Sequence, residues 1–445
     1  MTRKMKDSGI EWIGEIPEEW EIVKLKYTSD SHIPHSFEDG DWIESKYISE
    51  DGIRYLTTGN IGDGEYKEQG SGYVSEENFK LLNCKYAYSG DLILSRLNAP
   101  YGRSCILPKT FDNYVISVDN VILRPSSQYD KKFINYITQC SGYQKSVEDS
   151  ASGTTMQRIS RTKLGNIPLA FPDVETQKII SIFLNKKTKQ IEDIKNTINK
   201  EIENLENYKK SVITEAVTKG LDKNVEMKDS GIEWIGEIPK HWIKAKIKHA
   251  CSIVGSGTTP KSNNLNFYSD DGNFWIQSGD LYKNSEIINT EKKVSDLALK
   301  TYSALKIYES PFLVMAMYGA SVGNLSVSHI DAATNQACCV MKSNRKTNLM
   351  FLYYWLLFVQ DDLLNKAEGG SQPNISQTKI QNELIYFPPI NEQNDIVDYL
   401  DKRTKLIDDS IAIKQKQLET LEEYKKSLIY EYVTGKKEVK DGEES

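Results

Sequence analysis

Residues 5–17 read MKDSGIEWIGEIP, and residues 227–239 read MKDSGIEWIGEIP again. Each copy reaches a tryptophan three residues later, Trp20 and Trp242. Thirteen unchanged positions in a chain of ordinary complexity mark an internal duplication. The duplication runs beyond the motif. Residues 172–220 align with 388–436 at a constant offset of 216, so that Gln177 meets Gln393, Tyr208-Lys209-Lys210-Ser211 meets Tyr424-Lys425-Lys426-Ser427, and Val217-Thr218 meets Val433-Thr434. Each half therefore consists of a constant motif, a variable middle and a long helical segment.

Both helical segments carry apolar residues at alternating three- and four-residue steps. In the first these are Ile191, Ile194, Ile198, Ile202, Leu205, Tyr208 and Val212; in the second, Leu400, Thr404, Ile407, Ile411, Leu418, Leu421, Tyr424 and Leu428. Such a narrow stripe is the seam of a coiled coil, and Lys414 within it is a polar interruption of the kind that fixes register. Lys and Glu fill the outer faces, and no Gly or Pro lies between the opening prolines and the closing Gly220 and Gly435. Each is expected to run about 65 Å at 1.5 Å per residue, too long to lie inside a compact domain of this size. Both are therefore read as spacers.

The middles differ in kind. Residues 21–171 and 243–387 are rich in Tyr, Ser, Asn, Thr and Gly, with β-type runs at 91–95, 114–123 and 312–317. Turn dipeptides punctuate them at Asp51-Gly52, Asp63-Gly64 and Asp271-Gly272, and short helices are expected at 132–141 and 349–365. The fold class is α+β: two similar mixed α/β domains with curved sheets, and two long coiled-coil helices. The expected division is 1–171 (first domain), 172–222 (first spacer helix), 223–387 (second domain), 388–436 (second spacer helix) and 437–445 (a charged, disordered tail). Between the middles, glycines and apolar anchors match while the polar residues beside them differ. Tyr101-Gly102-Arg103 aligns with Val322-Gly323-Asn324, and residues 152–160 align with 368–376. Two copies of one fold that keep their turns and change what their loops present suit two binding domains with two targets.

Composition sets limits. The chain has 445 residues, 27% charged and 39% hydrophobic, with no apolar run near the roughly 18 residues of a membrane span and no signal-peptide pattern at its start. A cytoplasmic protein is expected. Cys84, Cys105, Cys140, Cys251, Cys338 and Cys339 show no metal-type spacing and read as reduced core thiols. The net charge of −7 argues against a wholly basic nucleic-acid coat and leaves room for a local basic face.

Catalytic signatures are missing from the sequence. There is no phosphate-loop motif, no G-x-G-x-x-G, no Asn/Asp-Pro-Pro-Tyr/Phe and no H-E-x-x-H. Pro172-Asp173, followed by Glu175 and Lys178, has the wrong spacing for a metal nuclease and the right residues for a helix start. The chain is expected to perform no chemistry alone, with no catalytic residue, metal or cofactor of its own.

Two variable domains, each introduced by S-G-I-E-W-I-G-E-I-P-x-x-W and each followed by a long helix with Tyr-Lys-Lys-Ser near its end, resemble the specificity subunit of type I restriction–modification enzymes. The Gly-Thr-Thr-Pro-Lys run at 257–261 belongs to the resemblance, and the stretch after Tyr27 offers no counterpart to it. The resemblance implies that each variable domain is a target-recognition domain reading one half of a split, asymmetric double-stranded DNA site. It implies that the helices pair antiparallel, relate the domains by a pseudo-twofold and set the gap between half-sites. Two methylation subunits carrying S-adenosylmethionine would dock on the chain. Restriction subunits that translocate DNA, using ATP and Mg2+, would complete a site-specific deoxyribonuclease and adenine-DNA methyltransferase.

Base reading needs forked donors and acceptors on exposed loops. In the first domain this selects Arg96, Asn98, Tyr101 and Arg103, then Thr154, Thr155, Gln157 and Arg158. The second domain offers Tyr318, Ser321 and Asn324, then Ser371, Gln372 and Asn374. Thr258, Thr259 and Lys261 suit phosphate contact, because Lys binds phosphate as a point charge without reading bases. All of these Gly-rich stretches could instead be ordinary hairpin turns. Trp12, Trp20, Trp234 and Trp242 sit in the unvarying motif, which favours packing or a subunit contact over base stacking. A methyltransferase-only system, a coiled-coil adaptor with protein- or glycan-binding domains, and a free-standing nuclease are the competing functions.

Overall fold

The computed structural model describes residues 3–70, 72–151, 157–282, 286–367 and 374–440. The long helices are Val174–Lys219 and Ile390–Val433. The chain forms two compact units, residues 1–199 with 415–445, and residues 200–414, so each unit takes part of both helices. Of the charged tail expected at 437–445, residues 441–445 lie outside the described residues.

In the first unit an antiparallel sheet runs in the order Ser104–Ile106, Leu92–Ser95, Asn120–Leu123, Phe37–Asp39. A second, five-stranded sheet has Ile53–Leu56 parallel to Asn113–Ile116 at its centre. The central strands of the first sheet read as unbroken apolar runs because both faces are covered. Leu92, Leu94, Val121 and Leu123 face the core shared with the long helices, whereas Ile93 and Ile122, with Cys105 of the same sheet, face Leu56 and Ile116 of the opposite layer.

The second unit repeats this plan. Its main sheet runs Cys251–Gly255, Cys338–Ser343, Phe312–Ala316, Leu325–Ser328, Glu286–Ile287. Leu313, Met315, Cys339 and Met341 point to the helix side, and Val314, Ala316, Cys338 and Val340 to the other. The sheets are open, and the fold is mixed α/β in each unit. Among the described residues no helix is long and apolar enough to cross a membrane.

Three boundaries differ from the sequence expectation. The run at 114–123 is two strands, Asn113–Ile116 and Asn120–Leu123, in different sheets. Its apolar pattern continues through the turn because both strands are buried. The helix expected at 132–141 is Lys131–Ile137, and a second helix follows at Ser141–Ser150. The helix expected at 349–365 breaks at Val359 into Leu349–Phe358 and Gln360–Asn365.

The repeated residues prove to be the frame. Each motif folds as a small hairpin, Met5–Asp7 on Glu15–Pro17 and Met227–Asp229 on Glu237–Pro239, in the same register. Gln177 and Gln393 are both 1% exposed. Gln177 donates to the carbonyls of Pro172 and Gln128 and accepts from the Asp130 N–H at 2.8 Å. Gln393 makes the same three bonds, to Pro388, Lys346 and Asn348. Tyr136 donates to Asn185 at 2.8 Å, and Tyr354 to Asp401 at 2.7 Å, tying each domain to its helix a second time. Replacing Gln177 by Ala removes three bonds and strands a buried N–H. A loss of about 2 to 4 kcal/mol in the stability of the first unit is expected, read as a lower urea midpoint.

Within each unit the helices run antiparallel. In the first, Glu192 pairs with Lys425 and Lys195 with Glu422; in the second, Lys209 pairs with Asp408 and Lys414 with Glu201. Glu192–Lys425 and Asp408–Lys209 occupy corresponding positions of the repeat. The Lys425 ammonium holds the Glu192 carboxyl below the usual carboxylate range. These contacts correct the seam inferred from sequence. Ile194, Tyr208 and Tyr424 are 48%, 50% and 53% exposed, and the three-four stepping passes through Lys195, Lys209 and Lys425 instead. The seam is thus apolar with lysines at intervals, each reaching an acid on the facing helix. Exposed ion pairs contribute little energy, and their use here is to penalise other registers.

Candidate nucleic-acid interface

In each domain the loops that differ between the copies converge on one turn. In the first domain this is the turn at 117–120, which joins the two sheets. Asp41 donates its N–H to the Ile116 carbonyl and accepts from the Val118 N–H at 3.0 Å. The Arg96 N–H donates to the Asp119 carbonyl at 2.7 Å, and the Asp119 carboxylate holds the Arg158 guanidinium at 2.9 Å. Leu97 forms a bridge with Arg158, and Tyr101 Oη donates to Gln157 Oε1 at 3.3 Å. The loops at 41–44, 96–102 and 157–159 therefore surround this turn.

The second domain repeats the arrangement around 335–338. Met317 N–H donates to the Ala337 carbonyl, and Tyr318 bridges to Asn374. Thr259 Oγ1 donates to Gln336 Oε1 at 2.7 Å. The two sequence-selected clusters of each domain are thus neighbours in space, although they lie about fifty residues apart in the chain.

The run at 257–261 does have a counterpart, which corrects the sequence reading. Phe37–Asp39 and Cys251–Gly255 occupy the same edge of the two main sheets, and the chain leaves both through a glycine pressed against a carbonyl. A Cβ on Gly40 would lie 2.2 Å from the Ile116 carbonyl oxygen, and one on Gly257 1.7 Å from that of Thr334. Only glycine allows that approach. Beyond it one domain presents Asp41-Trp42-Ile43-Glu44 and the other Thr258-Thr259-Pro260-Lys261. The geometry is shared and the letters are not, so alignment by identity misses it.

Burial separates the selected residues into two groups. Asn98, Gln157, Arg158, Thr259, Lys261 and Asn374 are exposed, Tyr318 is 38% exposed, and Thr258 and Asn324 are half-buried. Asn98 takes a positive φ of 63° at its loop tip, a conformation Asn tolerates. Arg96, Tyr101, Arg103 and Ser321 are 7%, 8%, 8% and 8% exposed, so they are packed inside the domain and not presented on its loop surface as the sequence suggests. Arg103 donates to the carbonyls of Ile61 at 2.6 Å, Asn98 at 2.6 Å and Thr58 at 2.8 Å. Arg96 donates to the carbonyls of Ile159 and Val118 and lies 3.1 Å from the Asp39 carboxylate. Both guanidiniums are spent on holding loops, and burial pulls Arg103 below its ordinary pKa. Arg beside Gly in a loop reads as a base contact from sequence because the same fork that fits guanine also fits converging carbonyls. Thr154, Thr155, Ser371 and Gln372 lie outside the described residues.

Arg103→Ala is accordingly expected to lower the thermal midpoint without relaxing base preference. Asn98→Gly, which removes the amide but accepts the positive φ, should keep stability within about 0.5 kcal/mol of the parent's and weaken duplex binding. Paired melting and binding curves on the two variants check this; relaxed base preference in Arg103→Ala at unchanged stability would contradict it.

The motif tryptophans belong to the frame. Trp20 and Trp242 are 0% and 1% exposed, against Phe133 and Phe351 respectively. Trp12 is partly buried against Tyr430, whereas Trp234 is 47% exposed beside Phe358.

Residues 17–204 and 239–423 match the family model of the type I restriction modification DNA specificity domain. A chain of Methanocaldococcus jannaschii assigned as the MjaX type I restriction enzyme specificity subunit is 26% identical over 441 residues, 96% of either chain. The EcoR124I/EcoR124II specificity subunit of Escherichia coli is 26% identical over 226 residues, 47% of this chain and 51% of that one. Among solved structures, a chain from a study of complex assembly and conformational transition in the type I R-M system aligns with a TM-score of 0.72 at 15% identity, over 94% of this chain and 98% of that one. The HsdS subunit of Thermoanaerobacter tengcongensis aligns over the same shares at 0.51, also at 15% identity, a likeness of fold.

Proposed function

Since the chain belongs to the type I restriction–modification DNA specificity family, we propose that it is the DNA-reading subunit of a type I complex, one domain per half of a split, asymmetric site. The observation that carries this reading is the division of labour within the repeat. Hydrogen bonds that build the frame are duplicated atom for atom at Gln177 and Gln393, while the loops around the turns at 117–120 and 335–338 differ. A reader of one palindromic sequence would keep both sets of loops alike. Asn98, Gln157 and Arg158 are the base-reading candidates of the first domain, and Tyr318, Asn324 and Asn374 those of the second. Thr258, Thr259 and Lys261 serve phosphate.

The chain holds no reacting group of its own in this reading and acts as a scaffold. Two methylation subunits supply S-adenosylmethionine chemistry, and restriction subunits supply ATP- and Mg2+-dependent translocation and cleavage. The long helices keep the half-sites at a fixed gap, and sites on one face of a duplex repeat about every 34 Å. The net charge of −7 fits a chain whose DNA affinity is completed by partners. The direct test is a mobility shift of random-pool duplexes by the chain with its methylation subunit, followed by sequencing of the bound fraction. Enrichment of two defined half-sites at one separation is expected. Absence of any sequence preference at low salt would overturn the proposal.

A further inference from the structure

Trp42 is 71% exposed, the most exposed tryptophan among the described residues. Its neighbours are anchored on both sides. Asp41 is tied by its backbone to Ile116 and Val118, and its carboxylate accepts from the Lys85 N–H and Nζ, both at 2.7 Å. Ile43 is partly buried against the cluster of Val74, Cys84 and Val115. The chain therefore turns one residue outward between two that are held inward, and that residue is an indole.

A single exposed apolar side chain is ordinary on a protein surface, but an indole held outward between two anchored neighbours offers a large amphipathic contact area at low entropic cost. The kind of partner follows from its place. Trp42 stands where Thr259 stands in the second domain, in the loop that leaves the shared glycine and skirts the turn beneath Arg158. The acidic charges beside it are matched locally, Asp41 by Lys85 and Glu44 by Lys46 at 3.0 Å, so a phosphate backbone can approach.

We propose that Trp42 is a base-stacking residue of the first domain, its indole lying against a base or wedged at a base step of the first half-site. The inference rests on the reading of the chain as a DNA-specificity subunit and adds a contact at a position where the second domain carries Thr259. Aromatic stacking tolerates many sequences but favours steps that unstack readily, such as TA and CA/TG. A preference for such a step is expected in one half-site alone.

The test uses the full chain assembled with its methylation subunit and the target duplex that the wild type selects, carrying 2-aminopurine at successive positions. Trp42→Ala should weaken binding by roughly tenfold to a hundredfold, the usual weight of one stacked base. It should also abolish a 2-aminopurine signal confined to one step of the first half-site. Trp42→Phe should restore much of both, and assembly with the methylation subunit and the melting temperature should stay unchanged. Wild-type affinity and signal in Trp42→Ala would overturn the stacking role while leaving the DNA reading in place. Lost assembly with unaltered base signals would also overturn it, and would make the indole a protein contact. If the wild-type assembly itself shows no sequence preference, the broader reading fails first.

Discussion

Exchanging residues 21–171 for the matching segment of another family member should change one half of the recognised DNA sequence completely and leave the other half and the gap untouched. The expectation follows from which atoms are shared. Bonds that carry the first domain onto its helix come from the main chain at Gln128, Asp130 and Pro172, the Asp130 carboxylate and the Tyr136 hydroxyl, meeting Gln177, Ser181, Asn185 and Thr188 on the helix. A donor segment that keeps a tyrosine at the place of Tyr136, an aspartate at the place of Asp130 and the backbone path near 128–130 docks in the same way. The loops at 41–44, 96–102 and 157–159 travel with the segment. The effect is categorical: one half-site is replaced by another. Methylation of the exchanged chain's target in cells reads it out, and simultaneous change of both half-sites would sink modularity.

The second large effect is on stability. Trp20→Ala and Trp242→Ala are each expected to cost about 3 to 5 kcal/mol, the range for emptying a buried aromatic site. Both indoles are sealed under a long helix, and Gly435 and Gly220 at the helix ends pack close against the Trp20 and Trp242 rings. The two substitutions should differ in one respect. Trp242 Nε1 donates to Glu392 at 3.0 Å, so its loss also removes a hydrogen bond from that carboxylate, which keeps His241 at 2.8 Å, while Thr176 occupies the corresponding place in the first half. For units of this size the thermal midpoint should drop by roughly 10 °C. Calorimetry checks the drop, and at temperatures where the variants remain folded their half-site sequences should match the parent's. A changed half-site with undiminished stability would make the tryptophans readers rather than frame.

Much of the fold was legible because duplication supplies its own control. Thirteen identical residues, a constant offset through the helices and the matched glutamines located the frame, and those residues are the hairpins, seams and docking bonds observed. The seam was misplaced by one residue at Ile194, Tyr208 and Tyr424, since hydropathy prefers Ile and Tyr where the helices use a lysine stem and a distant acid. The interface was legible as loops and not as residues. Arg96 and Arg103 look like base readers in any linear reading, whereas in the fold they donate to the carbonyls of Ile61, Thr58, Ile159 and Val118, brought in from distant segments. Trp42 was missed for the opposite reason. Its loop shares one glycine and no other letter with 257–261, and the equivalence lies in strand register and a crowded carbonyl. An isolated Trp between acidic residues carries no pattern by itself.

The central claim is that two dissimilar sets of loops on one duplicated frame read two different half-sites at a fixed distance. Long-read mapping of methylated adenines, in cells carrying this chain and its methylation subunit in place of any other modification system, tests it most directly. The account predicts a bipartite, asymmetric motif with a single gap length, methylated once on each strand. A continuous motif, two identical half-sites or a variable gap would contradict it.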